Sequence, residues 1–466
     1  MPNYISTDVR RVIIYKYAED IKKSATGGVN PEKAVIDFRN DRQRGKAGER
    51  DVVFVKTSYL RFRRDNGRIV SDVMSYEKLN EPILDNREES QSILKNFLEN
   101  LDKENNEKLK NSIKHSGQIE PAIITCDGFL INGNRRKMIL EELVKETYDK
   151  KYEMMKVVIL PGEDDEGGPP TIIEIEEIEN RYQQQRDGKS DYTNFNWALS
   201  TQRKIIDGYS LERQLKDDSN FANLPQKEFQ RKVEEIKEGF LYPLQAVTRY
   251  LDSLGRELLY NTITEGRGDR EGRWYAFIDY YKYVYKKLID EKSRIKLEVE
   301  EVEIGDIEDV AFKIIRQKDF RGFLKTHMVM RKIPDILKNR EAKKELMKIA
   351  NNTVDLTKSE IENCKGDIKL IDGRWANNNG TLIIGRVKKA VQTIEHEKDI
   401  ETPFTLLEDS LKKLNHENMK PISLDPTKRK PAIELTKEIQ SRANELEKEF
   451  WNIEKGSEKF KIVKNK

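Results

Sequence analysis

The sequence has few of the residues from which common catalytic and metal centres are built. It contains two cysteines and four histidines in 466 residues. Cys126 and Cys364 lie far apart, and the histidines lack the close spacing of a zinc site. The sequence also has no Walker A loop and no Gly-x-Ser-x-Gly elbow. These absences leave zinc, P-loop and serine-hydrolase chemistry without support, and the isolated thiols favour a cytoplasmic location.

Long apolar runs and a dominant charge sign are missing as well. No run approaches the roughly 20 apolar residues that span a bilayer. The segment Met1–Ile5 does not begin a charged-then-apolar leader, so we expect neither a membrane span nor a signal peptide. Lys and Arg number 86 against 83 Asp and Glu, for a net charge of +3. This balance does not indicate a nucleic-acid partner, although local basic patches can still exist.

A strand–turn–helix pattern stands out in the first third of the chain. Two β-type runs, Ala122–Thr125 and Phe129–Ile131, are separated by Asp127 and Gly128. Asp-Gly is typical of a two-residue hairpin turn, because both positions tolerate positive φ. The pattern therefore predicts two short strands joined by a tight turn.

An anion site is predicted where this pattern passes into a helix. Gly133 precedes Arg135 and Arg136, and an amphipathic helical pattern follows. The first amides of a helix attract anions, a glycine lets the backbone come close, and arginine donates two parallel hydrogen bonds to phosphate. An ordinary strand–turn–helix with solvated arginines fits the same spacing equally well.

Three short motifs together give this region a family resemblance. Gly117-Gln118-Ile119-Glu120-Pro121 precedes a strand, Gly133-Asn134-Arg135-Arg136 opens a helix, and Glu179-Asn180 follows downstream. Their order resembles the N-terminal domain of the ParB/sulfiredoxin superfamily, which pairs Gly-x-x-x-Pro with a Gly-Glu-Arg-Arg box and a later Glu-Asn-x-x-Arg. Here Asn134 replaces the box Glu and Gln183 stands at the last Arg position, with Arg186 one helical turn later.

The resemblance implies a nucleotide site that binds CTP or ATP with Mg²⁺. The triphosphate would be held by Gly133, Asn134, Arg135 and Arg136. The base end of the pocket would be shaped by Gly117, Gln118 and Pro121. Glu179 and Asn180 would reach the metal ion or the phosphates, and Glu179 would be the catalytic candidate. The earlier arginines Arg61, Arg63 and Arg64 match a family segment near the nucleotide only loosely.

Two departures from the family pattern bear on activity. The box contains no cysteine, which sulfiredoxin needs, so we exclude sulfinic-acid reduction. Asn134 is neutral and cannot act as a base, which favours a binding switch over an efficient catalyst. The first hypothesis is a nucleotide-gated DNA-binding protein with a partition, regulatory or defence role. An NTPase, phosphotransferase or ParB-type nuclease and an interaction protein with a vestigial pocket remain alternatives.

The region after the nucleotide domain is predicted to be helical and is the candidate DNA-binding part. Family members often carry a helix-turn-helix there. In the helix Leu244–Leu254 the polar face carries Gln245, Thr248 and Arg249, side-chain types that read bases in the major groove. A helical domain that only packs against its neighbours fits the same pattern.

The predicted fold class is α+β, a small mixed-sheet ParB/sulfiredoxin-like domain followed by a large helical region. The predicted segments are a basic arm (1–50), the nucleotide domain (51–188), a helical, helix-turn-helix-like DNA-binding domain (189–295), a helical domain of unassigned role (296–420), and a linker with a final helix (421–466). Residues 367–385 contain short strand-like pieces around Asn377-Asn378-Asn379-Gly380. An apolar stripe on the final helix predicts pairing in a homodimer or docking on its own chain.

Overall fold

A computed structural model describes most of the chain and shows a mostly helical protein with small β-sheets, which confirms the α+β prediction in its coarse form. The described residues are 7–26, 31–36, 38, 48–165, 167–184, 193–217, 221, 224–263, 273–320 and 322–464. The chain divides into two compact units, Met1–Ile394 and Glu395–Lys466. The boundaries predicted at 50/51, 188/189 and 295/296 all fall within the first unit.

The sheet-containing part runs from the N-terminal helix to residue 184. Its elements in chain order are α1 (Thr7–Thr26), β1 (Lys33–Val35), β2 (Glu49–Asp51), β3 (Val53–Lys56), a 3₁₀ turn at Gly67–Ile69, α2 (Val70–Leu79), α3 (Glu88–Leu101), α4 (Lys103–Ser116), β4 (Ala122–Ile124), α5 (Asn134–Thr147), β5 (Met154–Ile159) and α6 (Ile172–Gln184). The basic arm residues Arg39, Arg42, Arg44 and Lys46 lie outside the described residues, as does Arg186.

A mixed three-stranded sheet forms the centre of this part. Its order is β3-β5-β4, with β3 antiparallel and β4 parallel to β5, while β1 and β2 form a separate antiparallel pair. The central strand β5 is covered on both faces, because Met155 and Val157 face one apolar cluster and Val158 faces another. This explains why five of its six residues are apolar, with Lys156 as the exception, rather than alternating.

A tight turn between the two β-type runs is confirmed, but of the two predicted turn residues only Gly128, and not Asp127, has a positive φ. The amide of Gly128, which has φ +91°, donates to the carbonyl of Thr125 at 3.0 Å, and the amide of Thr125 donates to the carbonyl of Phe129 at 2.9 Å. The run that begins at Phe129 forms isolated bridges to Arg61 and Ile124 rather than a full strand. The chain thereby returns beside β4 and delivers Gly133 to the start of α5.

The helical part of the first unit continues from residue 194. Its helices are α7 (Asn194–Ile206), α8 (Leu211–Lys216), α9 (Gln226–Ile236), α10 (Tyr242–Ser253), α11 (Trp274–Asp279), α12 (Lys286–Ile289), α13 (Glu291–Lys296), α14 (Ile304–Gln317), α15 (Thr326–Lys338), α16 (Arg340–Asn352), α17 (Lys358–Glu362) and α18 (Ile368–Leu414), with π-helical segments at Lys237–Leu241 and Tyr280–Tyr285. A large apolar cluster with the buried indoles of Trp274 and Trp375 holds most of these helices together.

The 3₁₀ turn and α2 pack against both the sheet part and the helical part. Ile69 and Val73 belong to the sheet core, whereas Val70 belongs to the large helical core, with Met74 packed against it. The hydroxyl of Ser75 accepts from the amide of Asn261 at 2.9 Å. The sheet part and the helical part therefore pack against opposite sides of the same 3₁₀ turn and α2, which form a wall between them.

The strand-like pieces and the turn predicted in residues 367–385 are wrong, because this segment lies within α18. The side chain of Asn379 forms two hydrogen bonds with the backbone of Val354. Its Oδ1 accepts from the Val354 N–H at 2.8 Å, and its Nδ2 donates to the Val354 carbonyl at 2.9 Å. Trp375 and Ile383 face the large core. Burial and these cross-links outweigh the low helix propensity of the Asn-Gly sequence.

The second unit contains the end of α18, 3₁₀ turns at Pro421–Ser423 and Pro426–Lys428, and α19 (Arg429–Lys464). Many of its apolar side chains are exposed, among them Ile439, Phe450 and Ile453. In the part of the chain that the structure describes, every helix is too short or too polar to traverse a bilayer.

Candidate functional site

A cavity of about 300 Å³ opens at the N-terminus of α5. Its walls come from the 3₁₀ turn, the end of α4, the loop before β4, the start of α5 and one face of α6. Of the predicted site residues, the cavity brings together Gly117, Gln118, Gly133, Asn134, Arg135, Arg136 and Glu179. Pro121 and Asn180 do not line it.

Gly133 shapes the anionic end of the cavity. Its φ of +82° is left-handed, and no side chain caps the helix that starts after it. A Cβ at this position would lie 2.7 Å from the Cβ of Ala122 and 3.1 Å from the Cε of Met155. Only glycine fits this close approach of helix and sheet, and the first amides of α5 consequently face the cavity rather than a capping side chain.

Arginine side chains surround this helix end. Arg135 is buried, and its Nε donates to the side-chain oxygen of Asn106 at 2.7 Å. Arg136 donates to the carbonyl of Glu120. Burial lowers the pKa of the Arg136 guanidinium; Glu120 opposes this, and the positive charge of Arg68 adds to the lowering. Because Arg68 and Arg136 repel each other in the same wall, a bound anion would stabilise both.

Arg68 and Tyr182 are site residues that the sequence reasoning missed. Arg68 follows Asn66 in the 3₁₀ turn, only a few residues beyond Arg61, Arg63 and Arg64, and Tyr182 lies three residues after Glu179 on α6. Those three earlier arginines instead pair with Glu88, Glu176 and Glu77. A helical projection from Glu179 would have placed Tyr182 on the same face.

Asn134 and Gln118 have different surroundings. Asn134 is nine-tenths buried, and its Oδ1 has no hydrogen-bond partner among the described residues. Gln118 is bonded to β5, since its Oε1 accepts from the amide of Lys156 at 2.7 Å and its Nε2 donates to the carbonyl of Lys156 at 2.8 Å. Gln118 thus fixes the loop, whereas the Oδ1 of Asn134 is a buried acceptor.

Glu179 lies in the wall between the sheet part and the helical part. Its Oε1 accepts from the amide of Gly67 at 3.3 Å, and its Oε2 is 3.7 Å from Arg63. Burial raises the pKa of the Glu179 carboxyl, and the charge of Glu176 raises it further against the opposing Lys204. The carboxyl is buried and already contacts the amide of Gly67 and the guanidinium of Arg63.

The predicted metal pair is not brought together. Asn180 is buried away from the cavity, and its Nδ2 donates to the carbonyl of Gln214 at 3.0 Å. Among the described residues, no group of three or more His, Cys, Asp or Glu side chains is arranged to hold a metal ion. Mg²⁺ prefers ionised carboxylates and phosphate oxygens, so these residues fit a phosphate group and do not fit a metal ion held by the protein alone.

The predicted DNA-reading residues lie on α10. Gln245 is exposed, but Thr248 donates to the carbonyl of Leu244 at 3.2 Å. Arg249 forms a bidentate ion pair with Glu308, with Nη2 to Oε1 at 2.7 Å, and stacks on Tyr285 at 4.3 Å. Two of the three side chains therefore take part in contacts within the helical part.

Helix α9 presents a polar surface that the sequence reasoning did not consider. Phe229 and Val233 pack with Leu211 and Leu215 of α8 in a small separate core. Its exposed surface carries Gln226, Lys227, Gln230 and Arg231 together with Glu228, Glu234 and Glu235, and Arg231 lies 3.4 Å from Glu235. A helical projection of residues 226–236 shows this amphipathic arrangement.

Comparison of the chain with protein-family profiles, with curated proteins and with solved structures finds no match.

Proposed function

We propose that the cavity at the start of α5 binds the phosphates of a nucleoside triphosphate, CTP or ATP, as the ParB-like motifs imply. The observation that carries this is the convergence of Arg68, Arg135 and Arg136 on a helix N-terminus that no side chain caps. A helix dipole and forked guanidinium donors both favour phosphate over other small groups.

The remainder of the wall suits a nucleoside. Leu109, Ile113 and Ile131 provide apolar surface, and Tyr182 adds an aromatic ring. The cavity volume of about 300 Å³ is at the lower limit of ligand sites, roughly 300–1,000 Å³.

The site supports binding better than hydrolysis. The catalytic candidate Glu179 is buried, accepts from Gly67 and lies beside Arg63, and Asn134 cannot accept a proton. A general base needs an ionised group within reach of the attacking water. The NTPase, phosphotransferase and nuclease alternatives therefore rank second, with slow hydrolysis as their remaining form.

Isothermal titration of the purified chain with CTP and ATP tests the nucleotide proposal. We expect saturable binding that Arg136→Ala weakens by about tenfold to a hundredfold, the range for loss of one charged hydrogen bond. Arg87→Ala, at an exposed position outside the cavity, is the matched control. We expect the complex to persist in EDTA, because arginines and amides hold the phosphates. Absence of binding for both nucleotides refutes the proposal.

DNA binding is the second half of the proposed function, and α9 is the structural element that favours it. Its exposed Gln226, Lys227, Gln230 and Arg231 stand on a core shared with α8, as in a helix-turn-helix, although the connection between the helices is longer than the usual 3–4 residues. Duplex-DNA binding should fall with salt and should weaken in a Lys227→Ala/Arg231→Ala variant. Equal DNA binding by this variant and by the wild type would exclude α9.

Self-association through α19 is the third element of the proposal. Ile439, Ala443, Leu446, Phe450 and Ile453 follow each other at spacings of four and three residues, which is the heptad pattern of a coiled coil. A nucleotide that changes this association would give the gating typical of a ParB-like switch. Sedimentation velocity with and without CTP or ATP measures both the oligomeric state and its dependence on the nucleotide.

A further inference from the structure

A second and larger cavity, of about 470 Å³, lies in the helical part between the start of α11, the end of α14 and the start of α15. We designate it the helical cavity. It shares no wall residue with the cavity at α5, so what it binds is independent of the nucleotide proposal above. Its volume lies within the range of sites for small organic ligands, roughly 300–1,000 Å³.

One wall of the helical cavity is the uncapped N-terminus of α15. The residue before the helix, Lys325, offers no side-chain capping bond, and its carbonyl accepts from the amides of Met328 and Val329. Among the described residues no acceptor is found for the amides of Thr326 and His327, as expected for the first helical positions. The side chains of Lys325 and His327 line the cavity beside these amides.

A buried excess of positive charge lies behind another wall. Arg256, Arg273 and Arg316 all contact the single carboxylate of Asp372, at 2.8, 3.1 and 3.1 Å. All four side chains are at least nine-tenths buried, so three positive charges face one negative charge. Arg273 also donates to the carbonyls of Thr262, Ile315 and Arg316. These bonds satisfy its N–H groups but leave a formal charge of two in the cluster.

Arg273 joins this cluster to the helical cavity, because it belongs to both. A charge in a protein interior is screened far less than one in water, so the cluster contributes positive potential to the cavity, against the carboxylate of Asp319 and the C-terminal end of α14. The helix N-terminus adds to the same field. An anion placed beside Thr326 and His327 would therefore be attracted from two independent directions.

The remaining wall is apolar and aromatic. Tyr275 has an exposed fraction of 46%, Phe320 is buried and Phe323 is partly buried, and Asp319 supplies an acceptor at an exposed position. Stacking on tyrosine or phenylalanine stabilises a planar ring such as a nucleic-acid base. The wall thus offers a ring surface next to an anion site.

We propose that the helical cavity binds a small aromatic phosphate of mononucleotide size. The phosphate group lies at the N-terminus of α15, between Lys325 and His327, and the ring lies against Tyr275 and Phe323. The chain then carries a second ligand site, in the part that follows the proposed triphosphate site.

Calorimetric titration with AMP and CMP tests this proposal in an Arg136→Ala background, which impairs the first cavity. We expect saturable binding that a Lys325→Ala/His327→Ala variant weakens by about tenfold to a hundredfold, and that Tyr275→Ala also weakens. Lys338→Ala is the control, since it removes the same charge at the far end of α15, about 18 Å away. All these side chains are exposed or half-buried, so the variants should fold.

Two half-ligands complete the experiment. Inorganic phosphate and the free nucleosides should each bind more weakly than AMP or CMP, because each occupies only one end of the cavity. Absence of binding by both mononucleotides at millimolar concentration overturns the proposal. So does binding that the Lys325→Ala/His327→Ala variant leaves unchanged, or phosphate alone binding as tightly as the mononucleotides. None of these outcomes bears on CTP or ATP at the first cavity, which is measured in the wild-type chain.

Discussion

Replacing Gly133 by alanine should loosen the contact between α5 and the sheet. Left-handed φ costs a residue with a Cβ about 1–2 kcal/mol. The new Cβ would also lie 2.7 Å from that of Ala122, where about 3.5–4.0 Å is optimal, and such overpacking costs about 1–3 kcal/mol. The total is about 2–5 kcal/mol. Ala122 is fully buried and paired to β5, so it has little freedom to move away.

Hydrogen–deuterium exchange of peptides that cover β4 and β5 measures this loss where it occurs. Protection there should fall by about 30-fold to more than 1,000-fold, because each 1.4 kcal/mol corresponds to a factor of about ten. Gly255→Ala is the matched control. Gly255 has φ +64°, and no atom lies within 4 Å of the place that a Cβ would take, so only the backbone cost of about 1–2 kcal/mol applies.

A second-site variant separates the two contributions. Ala122→Gly in the Gly133→Ala background removes the Cβ that collides and should recover the overpacking part of the loss while leaving the backbone part. Two results would refute the overpacking argument. One is that Gly133→Ala and Gly255→Ala each reduce the exchange protection around their own site by the same factor. The other is that Ala122→Gly restores none of the protection lost in Gly133→Ala.

Three further predictions concern other parts of the chain. The pKa of Glu345 is held at about 2, below its ordinary 4.5, by hydrogen bonds from Lys348, Lys389 and Arg386. The difference in stability between the wild type and Glu345→Gln should therefore be full above pH 4.5 and disappear as the pH falls towards 2. Urea denaturation across this pH range measures the difference. Arg249→Ala should cost about 1–3 kcal/mol of stability, because it leaves the carboxylate of Glu308 without its bidentate partner, and it should leave DNA binding unchanged if α9 is the reading helix; weaker DNA binding at unchanged stability would assign DNA reading to α10 instead. Leu446→Asp should convert a dimer into a monomer in sedimentation velocity, whereas Glu447→Asp on the adjacent face should not, and a wild-type chain that is already monomeric would exclude the coiled coil.

The sequence predicts the cavity at α5 well because its signals are local. The turn at Asp127 and Gly128, the glycine at the start of α5 and the arginines after it occupy one continuous stretch, so short-range geometry fixes their arrangement. Arg68 and Tyr182 come from distant segments, and no local pattern places them beside Arg136. The positions of such residues depend on tertiary contacts between segments that are distant in sequence.

Two errors have the same physical origin. Asn180 follows Glu179 in sequence, but adjacent positions on a helix point about 100° apart, so the motif pair is divided between the cavity wall and Gln214. Asn379 and Gly380 favour a turn locally, whereas the hydrogen bonds of Asn379 with Val354 hold this segment in α18. Tertiary contacts override local propensity in both places.

Because the sheet part and the helical part of the first unit both pack against α2, one face of this helix is covered only late in synthesis. The hydrogen-bond partner of Ser75 on α2 is Asn261, which is synthesised 186 residues later. The apolar side chains that cover Val70 belong to helices that follow residue 194. At about 5–20 residues per second, a ribosome needs about 10–40 s to supply them. During that interval the face of α2 that carries Val70 and Met74 is not covered by the helical part.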